Sequence, residues 1–210
     1  MLITLNEMKE KFNLQVDSVI HVGAHKAEEL NSYMSNGIKK VVWVEANPNL
    51  IVYLKSILKG SYSCVLHAAV SDVDGQEVEF KITNNGQSSS ILDLGTHKNL
   101  FPGVGVVEKI KLNTKTLKTL FNENKIDFKD FQMINLDIQG AELMALKGMG
   151  DELRHLKAIY TEINTDYVYE NCSLMVEIDE YVSKYGFKRV ATKMWENHPW
   201  GDALYMRGDK

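Results

Sequence analysis

Short runs of apolar, β-branched residues recur along the chain, and between them apolar positions return every three or four residues. Segment 18–22 reads as a buried strand, 39–49 as a second strand stopped at Asn47-Pro48, and 62–71 as a third. A turn at Asp74-Gly75 leads to the alternating stretch 78–82, and 106–113 alternates in the same way. Segments 131–138 and 156–164 are apolar runs that end in polar residues, while 187–194 and 202–208 form a closing hairpin. Thr4 and Glu7 stand at capping-box spacing, with Leu5, Met8 and Phe12 on one face, so 4–13 is expected to be helical. Further helices are expected over 26–36, from Pro48 to about residue 58, over 114–124 and 139–148, and around Leu174, Ile178, Val182 and Tyr185.

Buried strands alternating with helices predict an α/β protein, a mostly parallel sheet with helices on both faces, to which the hairpin adds an antiparallel strand. No Gly/Ser-rich linker or repeat divides the 210 residues, so a single domain is expected. Within it, 1–17 holds the N-terminal helix, 84–105 is a polar, Gly-rich active-site loop, and 187–210 closes the fold.

A hydrophobic content of 44% and a charged content of 25% suit a soluble globular chain. The net charge of −4 gives no electrostatic case for a nucleic-acid partner. No apolar run is long enough to span a bilayer, and the first residues lack a secretory pattern. Cys64 and Cys172 form neither a disulfide framework nor a zinc pattern, and Cys64 is expected in the core. These features predict a reduced, cytoplasmic protein without a membrane partner; they leave the oligomeric state open.

In an open parallel sheet, ligands lie beyond the carboxyl ends of the strands. Gly23 follows the first strand and permits close backbone approach to a ligand. Glu45 ends the second strand 22 residues later, near the offset of an acid that reads ribose hydroxyls. The small residues after the third strand, Ala69, Val70 and Ser71, suit an adenine, as does Ala46 beside Glu45. A pyrophosphate needs further glycines where this chain has His25 and Ala27. A nucleoside lacking phosphate, such as S-adenosylmethionine, fits that loop. Alternatives are an NAD(P)-dependent oxidoreductase and a non-catalytic glycan-binding module built on Trp195 and Trp200.

Asp137 closes an apolar strand, Gly140 allows a sharp turn, and Glu142 opens the next helix, where a carboxylate is favoured. Glu162 and Asn164 end the following strand. If these strands pair, Asp137, Glu162 and Asn164 offer an all-oxygen set for magnesium; the equal alternative is that the acids bind substrate hydroxyls or a lysine.

The ordered motifs VIHVGAHKAEE, VEANP, HAAVSDVDG, SSSIL, INLDIQGAELMALKGM and TEIN resemble the FkbM family of S-adenosylmethionine-dependent methyltransferases over about residues 18–190. The resemblance implies a Rossmann-like class I methyltransferase fold, with a seven-stranded sheet of order 3-2-1-4-5-7-6 and an antiparallel last strand. It also implies O-methylation of sugars or glycan-bearing natural products. His21 stands where that family carries an aspartate and Ala27 where it carries a glycine, so the acid expected at the cofactor ammonium passes to Asp137 or Glu28. The cofactor is thus expected on His21, Gly23, Ala24, Glu45, Ala46, Ala69, Val70, Ser71 and Asp137. Asp137 is the expected base or metal ligand, with His25 its best rival among His25, His97, His155 and His198. Ser88, Ser90, Glu162, Asn164 and Trp200 are expected at the sugar or glycan. The acidic balance and the lack of a Pro-Pro-aromatic motif after Asp137 disfavour nucleic-acid methylation.

Overall fold

The computed structural model describes residues 1–58 and 63–208. In chain order, the first half contains α1 (Leu5–Phe12), β1 (Ser18–Val22), α2 (Leu30–Ser35), β2 (Lys40–Glu45), α3 (Pro48–Ile57), β3 (Ser63–His67), β4 (Ala69–Val70) and β5 (Glu77–Thr83). The second half contains α4 (His97–Leu100), β6 (Val106–Lys115), α5 (Leu117–Glu123), β7 (Met133–Leu136), α6 (Glu142–Met149), β8 (Ala158–Asn164), α7 (Met175–Ser183), β9 (Phe187–Met194) and β10 (Trp200–Arg207).

The main sheet has the order β3-β2-β1-β7-β8-β10-β9. Counted within this sheet alone, that is the expected 3-2-1-4-5-7-6. β10 runs antiparallel to both β8 and β9, while the pairs from β3 to β8 are parallel. A separate three-stranded sheet, β4-β6-β5, carries residues 84–105 between two of its strands.

Side chains alternate between the faces of the main sheet. Ile20, Val22, Val42, Val44, Ile134 and Leu136 meet apolar residues of α5, α6 and α7 on one face. Val19, Val41, Trp43 and Met133 meet α1, α2 and α3 on the other. The strands buried on both faces account for the unbroken apolar runs in the sequence.

Four expectations change. Only Leu30–Ser35 of the stretch 26–36 is helical. His25 and Ala27 take positive φ (41° and 58°), and the Glu28 carboxylate accepts from the Lys26 N–H and contacts the His25 ring, so a turn occupies the first part. The third strand stops at His67, and Ala69–Val70 join the smaller sheet; Tyr62 lies outside the described residues, as do the last two residues of the closing hairpin. Cys64 is exposed, because β3 is an edge strand of the main sheet. The segment 84–105 is ordered in part: it holds α4 and an antiparallel bridge from Ser90 to Lys81.

Candidate active site

At the carboxyl ends of the central strands, the face packed on α1–α3 turns polar. His21, Asn135 and Glu162 occupy alternate positions on β1, β7 and β8, and Asp137 continues the same alternation past β7. Asp202 pairs directly with Glu162 from the antiparallel β10.

The His21 ring stacks on Trp43 at 4.7 Å. Its Nδ1 lies 3.0 Å from the Tyr33 hydroxyl and 3.3 Å from Asn135 Nδ2, which also donates to that hydroxyl. Burial lowers the pKa of the imidazole, against the pull of Glu29, and so favours its neutral form. Asn135 Nδ2 is a donor, so Nδ1 accepts and the proton sits on Nε2.

Gly23 has φ +90°, and a Cβ there would lie 1.8 Å from the Asp137 carbonyl oxygen. The close approach expected towards a ligand is thus made first to the neighbouring strand end. Glu45 binds the same loop: its Oε2 accepts from the His25 N–H and its Oε1 from the Asn47 N–H, both at 2.7 Å. Burial raises its pKa, which these N–H groups oppose.

Two cavities meet here. A narrow one of about 60 Å³ is lined by Glu45, Ala46, Ala68, Ala69, Val70 and Phe80, among others. A wider one of about 530 Å³ is bordered by His21, Glu29, Glu162, Trp195, Trp200 and Asp202. Gly23, His25, Gln87, Asp137 and Gln139 line both, so the two form one cleft.

Gln139 organises the junction. Held at φ +56°, its Nε2 donates to Asp137 Oδ1 at 2.6 Å and to Glu162 Oε2 at 2.9 Å. Its side-chain Oε1 accepts from the Tyr169 hydroxyl at 2.6 Å. Burial, reinforced by the Asp202 carboxylate, pushes Asp137 up to about 6. Glu162 is pushed up by burial and then by Asp137. Glu142 Oε1 accepts from Ile138 and Gly140 N–H, shaping the turn as a cap; burial pushes this carboxyl up to about 7.

The expected magnesium set does not form. The Gln139 amide donor occupies the space between Asp137 and Glu162 that a cation would need, and Asn164 is buried away from both cavities. Among the described residues, no cluster of three or more His, Cys, Asp or Glu side chains is arranged to hold a metal.

Of the remaining expected residues, Ser88 borders the wider cavity, while its neighbour Ser89 borders the narrow one. Ala24, Ser71, Ser90 and Asn164 border neither: Ala24 packs into the core, Ser71 donates to Asp72, and Ser90 donates to the Gln139 carbonyl at 2.8 Å. His25 stands at the junction with Nδ1 2.6 Å from Glu28 Oε1. His97 is buried beside Ser88, and burial lowers its pKa. His155 precedes β8, at the opposite end from the cleft, and His198 stacks on Phe101. Trp195 and Trp200 stack on each other at 5.2 Å.

Sequence reasoning missed Glu29, Gln139, Tyr169 and Asp202. Asp202 carried the signal that marked Asp137, an acid at one end of an apolar strand, but on an antiparallel strand the end facing the cleft is the amino end. Nothing in the sequence distinguished Tyr169 or Glu29.

The sheet order and the cleft across its carboxyl ends define a class I methyltransferase fold. The chain belongs to the methyltransferase FkbM domain family, which it matches over residues 21–189. Sp1610 of Streptococcus pneumoniae is similar at 12% identity and a TM-score of 0.52, over 98% of this chain and 70% of that one. TrmK of M. capricolum, in complex with S-adenosyl-homocysteine, is similar at 9% identity and 0.51, over 100% and 70%. The methyltransferase domain of bacterial CtHen1-C is similar at 8% and 0.52, over 96% and 94%. At these identities the likeness concerns the fold alone. No curated protein matches the sequence.

Proposed function

We propose that the protein transfers a methyl group from S-adenosylmethionine to a hydroxyl of a sugar or glycan. The observation that carries this reading is the joined cleft, with Asp137 at the junction of a small end bordered by Glu45 and Ala68–Val70 and a wide, carboxylate-lined end. Three supports bear on the cofactor. The family is one of methyltransferases, a similar fold is bound to S-adenosyl-homocysteine in TrmK, and Glu45 borders the narrow end, where it retains lone pairs for ribose hydroxyls.

The acceptor follows from the wide end. Among the described residues, those bordering it include Glu28, Glu29, Asp137, Glu162 and Asp202 and no Lys or Arg, a field that repels phosphates and nucleic-acid backbones. The stacked Trp195 and Trp200 add an aromatic face of the kind that packs on the C–H face of a sugar ring. Neutral, hydroxyl-rich molecules suit both features.

When bound, the cofactor supplies a methyl already activated by its sulfonium. The protein's task is to align an acceptor oxygen with it and to take up the hydroxyl proton. Asp137, raised to about 6, is mostly ionised at neutral pH and accepts that proton. Gln139 holds the carboxylate in place, and Tyr169 fixes the Gln139 amide orientation by donating to its carbonyl. No metal is assigned to the step.

The reading is tested by incubating the protein with methyl-labelled S-adenosylmethionine and a panel of neutral sugars, oligosaccharides and transfer RNA. Label on a saccharide hydroxyl is expected. Label on RNA, or on no saccharide while S-adenosylmethionine is bound, contradicts the acceptor assignment.

A further inference from the structure

The position before the first glycine loop poses a problem of charge. The family resemblance puts an acid at residue 21, and this chain has a neutral histidine buried there. Its Nδ1 is occupied by Tyr33 and Asn135, so the Nε2–H is the ring donor that remains, with the Gly23 backbone as its hydrogen-bonding neighbour at the edge of the cleft. The stack on Trp43 fixes the ring plane. A neutral N–H at this point cannot accept from an ammonium; it can only donate, for example to a carboxylate.

The missing acceptor is close by. Glu29 Oε2 lies 4.0 Å from His21 Nε2, and both side chains border the wider cavity next to Gly23. Glu28, the alternative expected from sequence, borders the same cavity, but its carboxylate is engaged: it accepts from the Lys26 N–H and faces the His25 ring. Asp137 is engaged by Gln139. Glu29 Oε1 lies 3.6 Å from the Met1 nitrogen, and both residues border the wider cavity.

We propose that His21 and Glu29 form a two-point clamp for a zwitterionic α-amino acid group, the methionyl end of the cofactor. His21 Nε2–H donates to the carboxylate, and Glu29 accepts from the ammonium. The clamp rests on the cofactor reading above and deepens it: relative to a site with an acid at 21, the two charges of the amino acid are read by different elements. The ammonium acceptor moves eight positions along the chain, from the strand end to the residue before α2. A donor and an acceptor side by side discriminate an intact amino acid from a ligand carrying only one of its charges, because either lone charge leaves one partner unmatched.

The test is calorimetric titration of the full chain with S-adenosylhomocysteine, with 5′-methylthioadenosine, which lacks the amino acid, and with decarboxylated S-adenosylhomocysteine, which keeps only the ammonium. The wild-type protein is expected to bind S-adenosylhomocysteine at least about tenfold tighter than either analogue, the scale of one charge-assisted hydrogen bond. His21→Phe keeps the aromatic stack and removes the donor; it should cut the preference over the decarboxylated ligand to within about threefold. Glu29→Gln, at a half-buried position that tolerates change, should cut the preference over methylthioadenosine and serves if His21→Phe does not fold. His21→Asp should reverse the order and favour the decarboxylated ligand. A wild-type protein that binds none of the three overturns the cofactor reading itself. Binding of S-adenosylhomocysteine with preferences unchanged in the folded variants overturns the clamp alone.

Discussion

Replacing Glu142 with glutamine keeps a side chain whose Oε1 accepts from the Ile138 N–H at 3.0 Å and the Gly140 N–H at 3.1 Å, and removes only its charge. Oε2 is buried without a hydrogen-bond partner among the described residues. Burial moves the carboxyl from 4.5 to about 7, against the pull of the backbone N–H groups. The folded value lies above the unfolded one, so the stability contributed by the protonated group is complete below pH 4.5 and is lost as pH rises through 7. A separation of that size corresponds to roughly 3 kcal/mol, an upper bound because Asp137 and Glu162 titrate beside it. The glutamine variant does not titrate at this site. Urea unfolding of both proteins at about pH 5 and about pH 8 should therefore show the wild type losing roughly 1–3 kcal/mol relative to the variant over that interval. Comparing the two proteins cancels His21 and His97, whose lowered values move stability the opposite way in each. A difference that stays constant, or that favours the wild type more as pH rises, refutes the assignment of this burial as the cause.

Other substitutions probe separate parts of the account. Ala27 sits at φ +58°, so Ala27→Gly should stabilise the protein by about 1 kcal/mol and raise Tm by roughly 2–4 °C in calorimetry. Gly23→Ala would place its Cβ 1.8 Å from the Asp137 carbonyl, and loss of the cooperative melting transition or of S-adenosylhomocysteine binding is expected. Glu45→Ala removes an anchor of the loop and the expected ribose acceptor, and should weaken cofactor binding by about tenfold or more with a smaller effect on kcat. Asp137→Asn should lower kcat by at least about a hundredfold, the scale of a lost general base, while EDTA leaves wild-type turnover unchanged.

Where local chemistry and long-range geometry coincide, the sequence was a sufficient guide. The apolar runs 18–22, 131–138 and 156–164 read as buried strands, and each lies in the sheet with its carboxyl end at the cleft. Thr4 capped α1 as its spacing required. The failures have a common cause in contacts between distant segments. Residues 25–29 carry helix-forming types, yet Glu45, twenty positions away, holds the His25 N–H, and two residues adopt positive φ. The magnesium set assumed that Asp137 and Glu162 meet across an open space; Gln139, set on the intervening turn, fills it with an amide. Asn164 has the right chemistry at the right strand end but is enclosed there. Serines 88 to 90 were one stretch in sequence, and the folded loop sends Ser88 and Ser89 to different cavities and Ser90 to the Gln139 backbone.

The neutral His21 illustrates how a departure from a family pattern carries information. Read from the sequence, it left the cofactor ammonium without its acid. In the fold, Tyr33 and Asn135 set the tautomer, and Glu29 Oε2 stands 4.0 Å from the Nε2.

The central claim is that this cleft holds S-adenosylmethionine. A calorimetric titration of the wild-type protein with S-adenosylhomocysteine and, separately, with NAD tests it most directly. Saturable one-to-one binding of S-adenosylhomocysteine, with no heat of binding from NAD, is the expected result. Binding of NAD in its place, or no binding of S-adenosylhomocysteine by the folded protein, would contradict the account.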